Sequence, residues 1–234
     1  MKGKLYGVSV GPGDPELLTI KAKRIIGGCD TIAYPARVPG ERSMALDIVK
    51  GAADISDKRI MEIVFGMSSD KAARSSDYDA AVAKLAATLE EEDDVCMITL
   101  GDATVYSTFM RVCKDVESRG FEMEVIPGVP SFCDGAAKAK IPLVTGTEGL
   151  AVVSASEGSD LFCTAIDNFD NVVIMKAYGS MERISDKVES LGGADVYVIS
   201  NAGLDDQYIG PLDKNRRYGY FTTVIVKKQK EAGR

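Results

Sequence analysis

The stretch Val95-Cys96-Met97-Ile98-Thr99-Leu100-Gly101-Asp102 indicates the fold class of this chain of 234 residues. Val95 to Leu100 is almost wholly apolar, which is typical of a strand that is covered on both faces of a parallel sheet. The Gly-Asp pair ends this strand, and a helix is predicted from Val105 to Arg119. A buried strand, a short polar loop and a helix in this order predict an α/β fold.

The same alternation extends in both directions from this stretch. In the first half, strands are predicted at 4–10, 30–34, 59–65 and 122–126, and helices at 16–26, 43–53 and 76–91. In the second half, helices are predicted at 132–140 and 181–191, and strands at 150–154, 171–175, 194–200 and 220–226. We therefore expect two α/β domains, residues 1–126 with a mostly parallel sheet and residues 127–234 with a mixed sheet.

The composition excludes several classes of function. The net charge of −7 excludes a globally basic surface for nucleic acid. No apolar run is long enough to cross a bilayer, and the opening segment is too short and too rich in glycine for a signal peptide, so we expect a cytoplasmic protein without a membrane partner. The five cysteines form no CxxC pair, which favours reduced thiols.

The chain contains no histidine. This absence excludes nucleophilic catalysis by a Ser-His or Cys-His pair and removes the commonest ligand of zinc, so no metal site is predicted. Any chemistry must depend little on a base that titrates near neutral pH, or must obtain one from a carboxylate, lysine, tyrosine or water.

The first glycine loop, Gly11 to Glu16, connects a strand to a helix. Asp14 is the expected N-cap and Pro15 the first helical residue, so an ordinary turn also explains the segment. A dinucleotide loop is disfavoured, because Glu16 stands where the fingerprint has its third glycine and because the carboxylates would repel a pyrophosphate.

Two later loops have the same position relative to a strand. Residues 100–108 follow the buried strand, and residues 127–131 follow the next one. Asp102 and Ser131 could each cap a helix and do nothing more. Three such loops at strand ends nevertheless favour a shared ligand pocket.

The three loops together resemble the tetrapyrrole methylase family, also called class III S-adenosylmethionine-dependent methyltransferases. The family's GPGDPxLLTxKA segment corresponds to Gly11 to Ala22, its LGDPTxYST segment to Leu100 to Thr108, and its EVIPGVxSF segment to Glu124 to Phe132. Tyr106-Ser107-Thr108 is similar to the branch that methylates C20 of precorrin-2 or cobalt-factor II. Two residues depart from the pattern: Ala103 replaces a proline, and Pro130 stands where serine or threonine is commoner.

The resemblance implies a homodimeric enzyme that binds S-adenosylmethionine, its methyl donor, in a trough between two domains. It implies cofactor contacts, many through main-chain atoms, at Pro12, Gly101, Asp102, Ala103, Tyr106, Ser107, Thr108, Ser131, Phe132, Met175, Ala202 and Thr223. A core-filling role explains Met175 equally well. Methyl transfer is a displacement at an activated carbon that requires alignment more than proton transfer, so the missing histidine is compatible with it.

A tetrapyrrole carries several carboxylates, so cations are expected at its site despite the acidic total charge. The candidates for substrate binding are Arg37, Arg42, Tyr106, Arg111, Lys176 and Tyr178. An ordinary solvated side chain explains Arg37, and packing explains either tyrosine. No catalytic residue is assigned.

Three alternatives remain open from the sequence. The chain could be a methylase of another corrin position, a diphthine synthase of the same family, or a nucleotide-binding α/β module without catalytic activity. Tyr106-Ser107-Thr108 favours C20 methylation in cobalamin biosynthesis over the first two.

Overall fold

A computed structural model describes residues 2–66, 71–91, 93–156, 159–204 and 206–229. The chain divides into two compact units, Met1–Pro130 and Ser131–Arg234. The turn at 127–130 is held in the first unit by a hydrogen bond from the Gly128 amide to Asp102. The domain boundary drawn from the sequence, between residues 126 and 127, stays a prediction.

The first unit contains a parallel sheet in the strand order β3-β2-β4-β1-β5. Its strands are β1 (Leu5–Ser9), β2 (Thr31–Ala36), β3 (Arg59–Val64), β4 (Val95–Thr99) and β5 (Met123–Ile126). Its α-helices are α1 (Ile20–Gly28), α2 (Met44–Ala52), α3 (Lys71–Glu90) and α4 (Phe109–Ser118). Every residue of β4 is buried, as its apolar sequence predicts.

Helices cover both faces of this sheet. One core packs beneath α1 and α2 and includes Val8 and Ile98. The other packs beneath α3 and α4 and includes Leu5 and Met97. Neighbouring strand residues such as Met97 and Ile98 point to opposite faces, so β4 needs apolar side chains throughout. Each such side chain contributes about 1.5–3 kcal/mol when it is fully buried.

The second unit contains a mixed sheet in the order β6-β7-β10-β8-β9. Its strands are β6 (Leu150–Ser154), β7 (Asn171–Met175), β8 (Ala194–Ser200), β9 (Tyr208–Pro211) and β10 (Thr222–Lys228). Its α-helices are α5 (Ser131–Ala139), α6 (Leu161–Asn168) and α7 (Met181–Glu189). Only β6 and β7 pair in parallel, and the other three pairings are antiparallel. The predicted α/β class, with a parallel sheet followed by a mixed one, is confirmed.

The helix predicted at 16–26 is two helices. Asp14 caps a 3-10 helix at Pro15–Leu17 by accepting a hydrogen bond from the Glu16 amide at 2.8 Å, which confirms the predicted cap. Leu18 is extended, with ψ of 126°, and α1 then begins at Ile20. Thr19 caps α1, because its hydroxyl accepts from the Ala22 amide at 3.1 Å. The segment therefore has two capping residues, Asp14 for the 3-10 helix and Thr19 for α1.

Two further predictions need correction, and two elements were not predicted. The helix predicted from Val105 begins only at Phe109, because Tyr106 has a left-handed φ of 49° that interrupts a helix. The strand predicted at 220–226 is β10, which begins at Thr222. The sequence analysis missed α6, which is short, and β9, an edge strand that contains glycine and proline.

Candidate active site

Three loops of the first unit lie at one edge of its sheet. Strands β4, β1 and β5 are adjacent and parallel, so the segments 10–14, 100–108 and 127–130 all follow carboxyl ends at the same edge. We call these three segments the first-sheet edge. The structure thus brings together the loops that the sequence analysis singled out.

The first-sheet edge includes the topological switch point of the sheet. The helix after β1, α1, packs on one face, and the helix after β4, α4, packs on the other. The chain therefore leaves two adjacent strands toward opposite faces of the sheet. Open α/β sheets bind their ligands at such a switch point.

Gly11 and Gly101 join the first two loops at this switch point. Their backbones exchange two hydrogen bonds, from the Gly11 amide to the Gly101 carbonyl at 3.2 Å and from the Gly101 amide to the Gly11 carbonyl at 2.7 Å. Both residues have left-handed φ values, 79° and 70°. Glycine adopts this conformation without the steric cost that other residues incur.

Asp102 joins the second loop to the third. Its Oδ2 accepts a hydrogen bond from the Gly128 amide at 2.7 Å, and its Oδ1 accepts one from the Thr104 amide at 2.8 Å. Helix α4 begins only at Phe109, so Asp102 does not cap it. The alternative of a simple capping role is therefore wrong for this residue.

The hydrogen bonds keep the buried Asp102 carboxyl ionised. Burial by itself raises the pKa of this carboxyl, but the bonds from the Thr104 hydroxyl and from the Gly128 and Thr104 amides lower it more. The net pKa lies below its ordinary value. At neutral pH the first-sheet edge therefore carries a fixed negative charge.

Ser9 and Gly128 complete the loop assembly, and neither was among the predicted site residues, although Gly128 lies in a predicted loop. The buried Ser9 hydroxyl accepts from the Ala103 amide at 2.8 Å. A Cβ on Gly128 would lie 2.5 Å from the Ser9 Cβ and 2.9 Å from the Gly101 carbonyl oxygen, so only glycine fits. The available sequence signal was a small polar residue at the end of the apolar strand β1.

The segment from Tyr106 to Thr108 contains one exposed tyrosine ring and the hydroxyls of Ser107 and Thr108. Tyr106 is 47% exposed. The Ser107 Oγ accepts from the Phe109 amide at 3.0 Å and lies 3.2 Å from the Thr99 Oγ1, so it anchors the start of α4. Thr108 precedes α4 without a capping bond from its side chain. In the first loop, Pro12 is buried.

A second group of candidate residues lies at one edge of the second sheet. Met175 ends β7, Ala202 follows β8, and Thr223 lies near the start of β10. Because β10 is antiparallel to both β7 and β8, its start lies at the edge where they end. We call this group the second-sheet edge. The other two candidates of this unit, Ser131 and the buried Phe132, begin α5.

The family model of the tetrapyrrole (corrin/porphyrin) methylases matches residues 4–213. The chain belongs to this family. Family membership confirms the predicted methyltransferase activity with S-adenosylmethionine as the methyl donor.

Two relatives of this methylase match it over nearly its whole length. The chain is 36% identical to a probable cobalt-precorrin-2 C(20)-methyltransferase of Methanocaldococcus jannaschii, with 97% of each chain covered. It is 34% identical to the cobalt-precorrin-2 C(20)-methyltransferase of Salmonella typhimurium, with 99% of each covered. The names of both relatives agree with the predicted C20 branch.

A solved structure shares the fold of the methylase. The uroporphyrin-III C-methyltransferase of Thermus thermophilus, crystallised with S-adenosylhomocysteine, matches with a TM-score of 0.70 at 20% identity. The match covers 96% of this chain and 97% of the other.

The charge of the methylase loops fits a sulfonium better than a phosphate. The segments 10–14, 100–108 and 127–130 contain no lysine or arginine, and they contain Asp14 and Asp102. A pyrophosphate would meet only negative side chains there, whereas a sulfonium is positive. This fit depends on the ionised state of Asp102.

The predicted basic residues of the methylase have different environments. Arg37 is held by Glu41, whose carboxylate accepts from the guanidinium Nε at 2.8 Å, and Arg42 pairs with Asp47 at 2.8 Å. The Arg111 guanidinium lies 4.9 Å from the centre of the Tyr78 ring. The structure therefore assigns Arg37, Arg42 and Arg111 local partners on their own unit.

Lys176 and Tyr178 follow β7 directly. Lys176 has a left-handed φ of 55°, and Tyr178 is 52% exposed. In the described part of the methylase, no helix combines the length and the apolar composition that a membrane crossing requires.

Proposed function

We propose that this methylase transfers the methyl group of S-adenosylmethionine to C20 of a reduced tetrapyrrole in cobalamin biosynthesis. The observation that carries the proposal is the full-length similarity to two relatives that are both named cobalt-precorrin-2 C(20)-methyltransferase. These names favour the cobalt-containing macrocycle over metal-free precorrin-2 as the substrate.

The proposed cofactor residues divide between the two units. The residues of the first unit are Pro12, Gly101, Asp102, Ala103, Tyr106, Ser107 and Thr108. Those of the second unit are Ser131, Phe132, Met175, Ala202 and Thr223. Asp102 uses its carboxylate to hold the loops, so it acts on the cofactor by fixing the backbone around it and by its negative charge.

When bound, S-adenosylmethionine supplies an activated methyl group. The chain must align this group with the meso carbon and exclude water, and such alignment lowers barriers by as much as about 7–11 kcal/mol. A loop assembly that is already fixed by hydrogen bonds between Gly11 and Gly101 and between Asp102 and Gly128 meets this need. The acceptor carbon is nucleophilic through its own conjugation, so no histidine is required.

The proposed substrate residues are Arg37, Arg42, Tyr106, Arg111, Lys176 and Tyr178. Among them, Lys176 and Tyr178 are supported by their position at the second-sheet edge, directly after Met175. The local partners of Arg37 and Arg42 make these two the weaker candidates.

We further propose that the enzyme acts as a homodimer in the cytoplasm. Light scattering coupled to size-exclusion chromatography tests the assembly, because a dimer has twice the mass of the 25.0 kDa chain.

The reaction is tested with S-adenosylmethionine that carries a 13C-labelled methyl group. The enzyme is incubated with cobalt-factor II or with precorrin-2, and the product is examined by NMR after removal of the metal where it is present. We expect label at C20 and faster turnover with the cobalt form. Label at any other carbon would contradict the assignment to C20.

A further inference from the structure

A basic and aromatic segment precedes β10. Residues 214–221 read Lys-Asn-Arg-Arg-Tyr-Gly-Tyr-Phe, with three cations, three aromatic residues and no acidic residue in a chain of net charge −7. Because β10 begins at Thr222, Tyr220 and Phe221 lie outside the strand. In a strand, successive side chains point to opposite faces of the sheet, so one of the two would be buried. Outside the strand, both remain exposed.

Three exposed aromatic rings form a continuous group at this point. The ring centre of Tyr178 lies 5.5 Å from that of Tyr220, and the Tyr220 centre lies 5.1 Å from that of Phe221. The three residues are 52%, 40% and 44% exposed. We call Tyr178, Tyr220 and Phe221 the aromatic platform. Grouped apolar rings at a surface mark a site that binds a ligand or partner more often than isolated ones do.

Hydrogen bonds hold the Gly219–Phe221 part of the platform at the second-sheet edge. The Asn201 amide donates to the Phe221 carbonyl at 2.9 Å, and the Gly219 amide donates to the Ser200 Oγ at 3.1 Å. A Cβ on Gly219 would lie 2.5 Å from the Asn201 side-chain amide, so glycine permits this close approach. The platform therefore lies beside the proposed cofactor residues Met175 and Thr223, on a backbone that is already fixed.

The cations of the segment differ in their partners. The Arg216 guanidinium lies 4.1 Å from the centre of the Tyr208 ring, and Lys214 pairs with Glu189. Arg217 is exposed and forms no ion pair with any residue in the described ranges. Its planar guanidinium suits a carboxylate, which it can bind with two parallel hydrogen bonds.

We propose that the aromatic platform takes the flat face of the tetrapyrrole and that Arg217 binds one of the carboxylates at its rim. The inference rests on the proposed function and adds to it the residues that select the macrocycle. A tetrapyrrole is an extended apolar ring system bordered by carboxylates. The complementary pattern is provided by exposed aromatic rings and by an arginine, three positions before Tyr220, that forms no ion pair within the described ranges.

The platform is tested by titrating cobalt-factor II into the protein in the presence of S-adenosylhomocysteine and following the visible absorption of the macrocycle. Replacing the rings with Tyr178→Leu and Tyr220→Leu is expected to raise the Kd about ten-fold for each ring, by analogy with nucleobases that stack on aromatic side chains. Tyr178→Phe and Tyr220→Phe keep the rings and are expected to bind like the wild type.

Phe169→Leu is the matched control. Phe169 is 41% exposed, like the platform residues, but it precedes β7 and so lies at the opposite edge of the same sheet. We expect this variant to bind the macrocycle normally. Affinity for S-adenosylhomocysteine, measured by calorimetry, should stay unchanged in every variant and so shows that the fold is intact.

Arg217→Gln is expected to raise KM for cobalt-factor II several-fold with little change in kcat, and Arg217→Lys to recover part of the loss. Normal macrocycle binding by the two leucine variants, with a wild type that still methylates C20, would overturn the platform and leave the proposed function standing. A wild type that binds neither cobalt-factor II nor precorrin-2 would overturn both.

Discussion

The Gly128 amide donates a 2.7 Å hydrogen bond to the Asp102 Oδ2, although the two residues are 26 positions apart in the chain. This bond connects the loop after β4 to the loop after β5 across the intervening strand β1. Asp102, which the sequence allowed as a simple helix cap, instead connects two loops of the proposed cofactor site. The stability of the protein should therefore depend on whether the Asp102 carboxyl is ionised.

Asp102→Asn is expected to lower the free energy of unfolding at pH 7 by about 1–3 kcal/mol, because an NH2 group replaces one of two accepting oxygens. The native pKa of Asp102 is lowered, so its ionised form stabilises the fold above the ordinary pKa, near 3.9, and this contribution is lost as the pH falls through the native pKa. The difference between wild type and variant should therefore shrink below about pH 4. Urea unfolding at a series of pH values measures it, and a constant difference down to about pH 3 would contradict the prediction.

Gly128→Ala is expected to destabilise the protein by about 1–3 kcal/mol and to weaken S-adenosylhomocysteine binding. The new Cβ would meet the Ser9 Cβ at 2.5 Å and the Gly101 carbonyl oxygen at 2.9 Å, so the loops must move apart. Thermal unfolding with and without S-adenosylhomocysteine measures both effects.

Gly27→Ala is the control for this substitution. Gly27 lies in α1, and a Cβ there would meet no atom within 4 Å beyond its chain neighbours and the backbone of its own helix. Alanine should therefore stabilise the helix by about 0.5–1 kcal/mol, the opposite sign to Gly128→Ala. Equal effects of the two substitutions would show that the close contact at Gly128 is unimportant.

Ala103→Pro restores the residue that is usual in the family segment, yet we expect it to destabilise this chain. The Ala103 amide donates to the buried Ser9 hydroxyl at 2.8 Å, and proline has no amide hydrogen to donate. Ser9→Ala removes the same bond from the other side and should cost about 1–3 kcal/mol. In a double-mutant cycle the double variant should cost clearly less than the sum of the singles. Additive costs would show that the bond contributes nothing.

Arg42→Gln is expected to leave the KM for the macrocycle nearly unchanged. The guanidinium already pairs with Asp47, and the arginine side chain is 88% exposed. Steady-state kinetics with cobalt-factor II checks this, with Arg217→Gln as the comparison. If Arg42→Gln raised KM as strongly as Arg217→Gln does, the prediction would be wrong and Arg42 would be a substrate-binding residue.

Local patterns in the sequence were sufficient for much of the fold. The uninterrupted apolar run of β4 predicted a strand covered on both faces, and all five of its residues are buried. Asp14 with Pro15 predicted a helix start, because a side-chain acceptor and a fixed φ act over a few residues. The same local patterns predicted the start of α4 too early. The left-handed conformation of Tyr106 cannot be recognised from the spacing of apolar residues.

The sequence by itself determined the order of strands and helices, the acidic character of the loops and, through three long motifs, the family. Only the tertiary structure decided that β4, β1 and β5 are neighbours, that Gly11 pairs with Gly101, and that Ser9 accepts a bond from Ala103. These pairs join residues that are far apart in the chain. They form only because the helical connections between the parallel strands place β1, β4 and β5 side by side. Propensity and spacing act within a few residues, whereas the partner of Asp102 follows from the order of the strands.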